Sequence, residues 1–243
     1  MILIVAALRA RQLLHRAIAE TVRRGNLTRY LPRELVDRLA DASLDQARAG
    51  RQQNAAVLFA DIRGFTDRAE RMEPAALSRF VTEFRRSMIE AATETHGVVD
   101  KFVGDSVMIV FGVPEPGERD ARDALACARA ILAAVAAWND RRAEAGDDPV
   151  RIGVGVHWGR VFSGAVGDEQ RLEFTVLGDA VNVAARLEDA TKAAGVALLV
   201  SEELLKAAGE QAGAGWSLVR DAPIRGRRES VRIYTVSAGL NSP

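Results

Sequence analysis

The sequence predicts an α/β (α+β) fold: a mixed β-sheet with helices mainly on one face, preceded by a helical N-terminal segment. Three observations carry this. AAVLFADI, at 55–62, is a short continuous apolar run of the kind a buried strand shows. VVDKFV and SVMIVF are separated only by Gly104-Asp105, a hairpin signal in which glycine supplies the positive φ of the turn. Long stretches with apolar residues at helical spacing precede and follow that hairpin.

The elements follow in order. Residues 2–24 read as a helix stopped by Gly25-Asn26, and Pro32 suits the first turn of a second helix, PRELVDRLAD. The polar, aperiodic DQARAGRQQN then reads as a linker ending near residue 52, so the chain divides into 1–52 and 53–243. The strand AAVLFADI follows. Glu73-Pro74 opens a long helix in which Leu77, Phe80, Val81, Phe84, Met88, Ile89 and Ala92 recur at helical spacing, and His96-Gly97 closes it. After the hairpin comes a second long helix, with Leu125, Leu132, Val135 and Trp138 on its buried face. RIGVGV and RVFSGAV read as two strands, and FTVLGD leads into the helix AVNVAARLEDATKAAG. VALLV, then SEELLKAAG capped by Ser201, then WSLVR and SVRIYTV complete the alternation. From AAVLFADI onward, the first six elements have the order of a ferredoxin-like βαββαβ core.

Composition excludes several function classes. Basic and acidic residues balance at 33 each, which gives no electrostatic footprint for nucleic acid. The single cysteine, Cys127, excludes an internal disulfide framework and reads as a small core residue. Three histidines (His15, His96, His157) without an HExxH leave carboxylates as the ligands for any metal, which would be a hard cation. His96 reads as a cap, and His157 and Trp158 as packing or edge residues. The eight apolar residues of MILIVAAL fall short of the ~20 that span a bilayer, and no basic region precedes them as in a signal peptide. A helix docking on a partner helix in a cytoplasmic protein is the expectation, with Arg9, Arg11, Arg16, Arg23 and Arg24 allowing at most a weak surface contact with membrane.

Two carboxylates stand out. Asp61 ends the first strand and Asp105 sits at the hairpin turn. With these segments adjacent in a sheet, both emerge at one edge, where paired carboxylates suit two magnesium ions; separately, a capping aspartate and a turn aspartate are ordinary. The loop Ile62, Arg63, Gly64, Phe65, Thr66 enters a short helix whose N–H groups suit phosphate. Asn182 and Arg186, four apart, share one helix face while Val181, Ala184 and Ala185 are free to face the core. Such a pair suits a ribose and a phosphoryl group, or equally a solvated surface. Neither GxGxxG nor GxxxxGK[ST] occurs.

FADIRGFT, DKFVGDSVMIVFG, the run from GVGVHWGRVFSGAVG to TVLGDAVNVAARL, and IRGRRESVRIYTV match in order and spacing the pattern of the class III nucleotide cyclases, which the chain resembles from about Ala55 to Val236. The resemblance implies an adenylate cyclase with two Mg2+ (or Mn2+) per site, held by Asp61, Asp105 and the carbonyl of Ile62. It implies that Asn182 orients the ribose and that Arg186 stabilises the transition state. Lys101 and Thr175 match the positions that choose the base. Arg225 matches a triphosphate-binding position, and Arg171 lies near another. Lysine donates and a threonine hydroxyl accepts, which complements adenine N1 and its amino group; without the resemblance Lys101 would be an edge-strand lysine. Threonine at 175, where many members carry aspartate, is similar to the class IIIb subgroup and implies activation by bicarbonate.

Further implications are a homodimer with sites shared between protomers, and an upstream sensor acting through residues 1–52. The remaining alternatives are a cyclase of other base specificity and a non-catalytic nucleotide-binding module. A cyclic-dinucleotide polymerase would carry GG[DE]EF where this hairpin reads VGDS.

Overall fold

A computed structural model describes residues 49–167, 172–211, 215–222 and 231–236. The two N-terminal helices expected before residue 42, and the candidate triphosphate ligands Arg171 and Arg225, lie outside these residues.

Among the described residues, eight strands form one sheet: β1 (Arg51–Ile62), β2 (Val98–Val103), β3 (Ser106–Phe111), β4 (Ile152–Gly167), β5 (Leu172–Leu177), β6 (Leu198–Ser201), β7 (Trp216–Ala222) and β8 (Val231–Val236). The helices are α1 (Phe65–Arg71), α2 (Pro74–Glu94), α3 (Asp120–Glu144), α4 (Asp179–Ala194) and α5 (Glu202–Ala208). Sheet order is β2-β3-β1-β4-β6-β8-β7, with β5 paired to β4. Every pairing is antiparallel except β4 with β6. The first four strands with α2 and α3 give the expected βαββαβ core.

The two sheet faces are covered unequally, as expected. Phe84 and Met88 of α2, Leu125 and Ile131 of α3, and Leu204 and Leu205 of α5 pack with Leu58, Ile109 and Val156 into the larger core. On the opposite face α4 packs Ala180 and Ala184 against Val57, Val110 and Val161. Its Val183 and Leu187 meet Leu199 and Ile233. Cys127 is buried in the larger core, where burial pushes its thiol up to about 11, as a packing residue requires.

Three local expectations change. First, β1 begins at Arg51, so the end of the polar linker joins the strand; Arg51–Asn54 pair with Ser163–Arg160, and Gln53 donates from Nε2 to the Gly112 carbonyl. Second, the two strands expected across 151–166 are one, because His157, Trp158 and Gly159 stay in register with Val57, Ala56 and Ala55. Third, Ile89 is exposed: it lies about 100° around α2 from the buried Met88, beyond the core stripe.

One close approach positions the site. In β4, the alternation of GVGV turns Val154 and Val156 into the larger core and leaves Gly153 and Gly155 bare beneath α4. A Cβ on Gly155 would lie 2.2 Å from the Glu188 nitrogen and 2.5 Å from the Ala184 carbonyl oxygen. Only hydrogen fits there, so the backbone of α4 rests directly on the strand.

Candidate active site

Asp61 and Asp105 meet at one edge of the sheet. Asp61 lies opposite Ser106 in the β1–β3 ladder, and Asp105 precedes Ser106 at the turn that Gly104 closes with φ 63°. The two carboxyls lie close enough to bond through a single shared proton. Burial first, then that bond and the charges of Asp105 and Glu188, push the Asp61 carboxyl up to about 7, against the Ile62 N–H that donates to Oδ1 at 3.0 Å. A buried carboxyl raised by a second carboxyl beside it marks a place where a cation would relieve the repulsion.

Among the described residues no three His, Cys, Asp or Glu side chains converge as a metal-ligand group. A cation on Asp61 and Asp105 would therefore complete its shell with a backbone carbonyl, water or substrate oxygens. That donor set fits magnesium, which commonly takes one or two carboxylates plus phosphate. Ile62, the last residue of β1, has its side chain buried in the larger core.

The loop beyond turns as expected. The Arg63 N–H donates to the Arg151 carbonyl at 2.8 Å, Gly64 adopts φ 68°, and α1 begins at Phe65. Gly64 and Thr66 are exposed, and the first-turn N–H groups have no acceptor within the helix.

Sequence reasoning missed Glu188. Burial and the neighbouring Asp189 push it up to about 7; Arg63 opposes this and Asp105 adds to it. Burial and Arg151 in turn lower Arg63, whose guanidinium donates to the Val196 carbonyl. The signal was legible: Glu188 is four residues after Ala184, on the stripe of α4 that meets the sheet. A charge at such a position has a partner or a task.

Lys101 and Thr175, distant in sequence, come together on an acidic residue that sequence reasoning also missed. The Thr175 hydroxyl donates to Asp100 Oδ2 at 3.0 Å, and Lys101 Nζ lies 3.5 Å from the same oxygen and 3.5 Å from Glu173 Oε2. Thr175 and the Asp100 side chain are both 7% exposed. Burial raises the Asp100 carboxyl, and the Lys101 charge with the two hydrogen bonds opposes the rise.

Asn182 and Arg186 share a face of α4, as their spacing requires. The core side is Ala180, Val183, Ala184, Leu187 and Thr191; Val181 and Ala185, expected to face the core, are half-buried at the edge of that stripe. At 100° per residue, Asn182 and Arg186 lie roughly opposite Ala184 and Glu188. They face away from this chain's own Asp61 and Asp105. His157 is buried, with Nδ1 2.8 Å from Ser201 Oγ, in keeping with packing.

Over residues 47–238 the chain matches the Adenylate and Guanylate cyclase catalytic domain family. It belongs to that family, the class III nucleotide cyclases whose four ordered motifs it carries. It is 32% identical over 217 residues to an adenylate cyclase from Anabaena cylindrica, an alignment covering 86% of this chain and 42% of that protein. An uncharacterized protein from Mycobacterium tuberculosis is 36% identical over 184 residues, 76% of this chain and 33% of that one. The chain thus spans less than half the length of these relatives. The adenylyl cyclase CyaB from P. aeruginosa is similar in structure, with TM-score 0.67 and 29% identity over 78% of this chain and 96% of that one. The guanylyl cyclase Cya2 gives TM-score 0.69 and 28% identity over 77% and 93%. Among the described residues, no helix is long and apolar enough to cross a membrane.

Proposed function

We propose that the chain converts ATP to 3′,5′-cyclic AMP and pyrophosphate at two sites shared across a head-to-tail homodimer, working in the cytoplasm where ATP is supplied. The juxtaposition of the Asp61 and Asp105 carboxyls carries the reading, because it makes a cation site at the sheet edge of a cyclase fold. Asp61, Asp105 and the Ile62 carbonyl would hold magnesium or manganese, which when bound supplies charge neutralisation at phosphate oxygens and a more acidic hydroxyl. The ribose 3′ oxygen attacks the α-phosphorus as its proton leaves, and the bond from that phosphorus to the bridging oxygen of pyrophosphate breaks. Asn182 holds the ribose. Arg186 donates to the phosphoryl oxygens as their charge develops, so its contribution grows toward the transition state. Arg225 and Arg171 serve the β- and γ-phosphates.

The orientation of Asn182 and Arg186 supports a shared site. They occupy the face of α4 turned away from the chain's own carboxylates, so a second copy brings them to its partner's Asp61 and Asp105. The Lys101–Thr175 pair supports adenine. The similarity to a guanylyl cyclase of solved structure supports GTP as the second reading. Incubating the protein separately with ATP, GTP, CTP and UTP, with magnesium or manganese, and resolving products by chromatography decides between them. Cyclic AMP from ATP alone, lost in Asp105→Ala, is the expected result; cyclic GMP would transfer the mechanism to guanine, and no product from any nucleotide in a dimeric sample would sink it. Bicarbonate against chloride at fixed pH tests the activation expected from Thr175, with equal initial rates refuting it. Residues 1–52 would relay a sensor's signal by changing the angle between protomers.

A further inference from the structure

A threonine hydroxyl can donate or accept a hydrogen bond, so Thr175 alone does not distinguish adenine from guanine. Its surroundings do. The hydroxyl lies 3.0 Å from Asp100 Oδ2, and both groups are almost entirely buried. An ionised carboxylate has no proton to offer, so the single proton of this contact belongs to Thr175 and lies along the line between the two oxygens. Burial raises the Asp100 carboxyl, and the Lys101 ammonium, 3.5 Å from the same Oδ2, opposes that rise and favours the ionised form. Thr175 then presents only lone pairs to anything else that approaches it.

We propose that Asp100 is a positioning residue that makes Thr175 an obligate acceptor and thereby sets the preference for adenine over guanine. The inference rests on the reading of Lys101 and Thr175 as the base site. The exocyclic amino group of adenine donates to the Thr175 oxygen. Guanine places O6 there, acceptor against acceptor, and loses its hydration without recovering a hydrogen bond. Lys101 is held from two sides, by Asp100 and by Glu173 Oε2 at 3.5 Å, with a proton left to donate to adenine N1. Asp100 thus orders both reading groups through one oxygen, without touching the base.

The test compares kcat/KM for ATP and GTP in wild type, Asp100→Ala, Asp100→Asn, Thr175→Val and the double variant Asp100→Ala/Thr175→Val. The ATP:GTP ratio does not depend on the fraction of folded protein. Displacement of a fluorescent ATP analogue by ATP and by GTP provides the corresponding ratio of binding affinities where turnover is too slow to time. Removing the carboxylate frees the Thr175 proton to turn toward O6, so Asp100→Ala should lower the ratio about 10- to 100-fold, with KM for ATP rising more than kcat falls. Asp100→Asn should keep most of the ratio: Lys101 orients the amide oxygen to the Oδ2 position, where it still accepts from Thr175. The double variant should match Thr175→Val alone, because Asp100 acts through that hydroxyl. An unchanged ratio in Asp100→Ala, with a lowered one in Thr175→Val, overturns the role of Asp100 and leaves the base site standing. Equal ratios in wild type and Thr175→Val overturn the base site and this inference with it. Additive losses in the double variant mean that Asp100 acts independently of Thr175, which also refutes the proposal.

Discussion

Replacing Asp61 with asparagine should weaken the loss of the protein's stability with rising pH in a metal-free buffer. Folded Asp61 holds its proton up to about pH 7, whereas in the unfolded chain it releases it near the ordinary 3.8. Between those values folding takes up a proton, so raising the pH through this window costs the folded state. At about 1.4 kcal/mol per pH unit, complete burial would set an upper bound near 4 kcal/mol. The Asp61 carboxyl is only half-buried, and solvent screening leaves roughly 1–2 kcal/mol. Asparagine is neutral throughout and its amide donates to Asp105 as the shared proton does. The variant should therefore match wild type at pH 5 and exceed it by about 2–8 °C in Tm at pH 8.

Thermal melting in EDTA across pH 5–8 is the assay. Glu188, also raised to about 7, contributes a slope of the same sign to both proteins, so the difference between them is the quantity to read. Millimolar manganese at pH 8 should raise the wild-type Tm by the equivalent of about 2–3 kcal/mol when it exceeds Kd a hundredfold, and shift the variant much less. Parallel Tm–pH curves for the two proteins, or an equal response to manganese, would refute the reasoning that the carboxylates share a proton where a cation belongs.

Other perturbations probe the remaining groups. Arg186→Ala should lower kcat about 10²–10³-fold with a smaller change in KM, measured by initial rates; equal kcat removes Arg186 from the transition state. Asp61→Ala and Asn182→Ala chains, each inactive, should recover activity when mixed under conditions of subunit exchange, through heterodimers with one intact site. Continued inactivity despite demonstrated exchange rules out the shared site. Gly155→Ala should destabilise by about 1–3 kcal/mol in urea melts and depress activity as α4 is displaced, since its Cβ would stand 2.2 Å from the Glu188 nitrogen; wild-type stability would contradict the close approach.

Periodicity and turn chemistry made most of the fold legible. The hairpin at Gly104-Asp105, the helix opening at Pro74 and the Ser201 cap, which accepts from the Leu204 N–H, all follow from local signals. So does the pairing of Asp61 with Asp105, because a strand end and a hairpin turn reach one sheet edge once the strands are neighbours. Where local signals are weak, the sequence misleads: the polar residues at the start of β1 and the uninterrupted β4 depend on partners across the ladder, which propensity does not see.

Identity and spacing of residues therefore determined which chemistry this chain carries: two aspartates, an Asn–Arg pair and a Lys–Thr pair in ordered motifs. Only the tertiary structure decided how those groups are tuned. Asp100 and Thr175, 75 residues apart, share a hydrogen bond because folding brings β2 and β5, which do not pair with each other, within reach. Glu188 stands over the carboxylate pair because bare glycines in β4 let α4 settle onto the strand. The ionisation of a carboxyl and the donor or acceptor role of a hydroxyl depend on neighbours within a few ångströms, and those neighbours are supplied by folding rather than by adjacency in the chain.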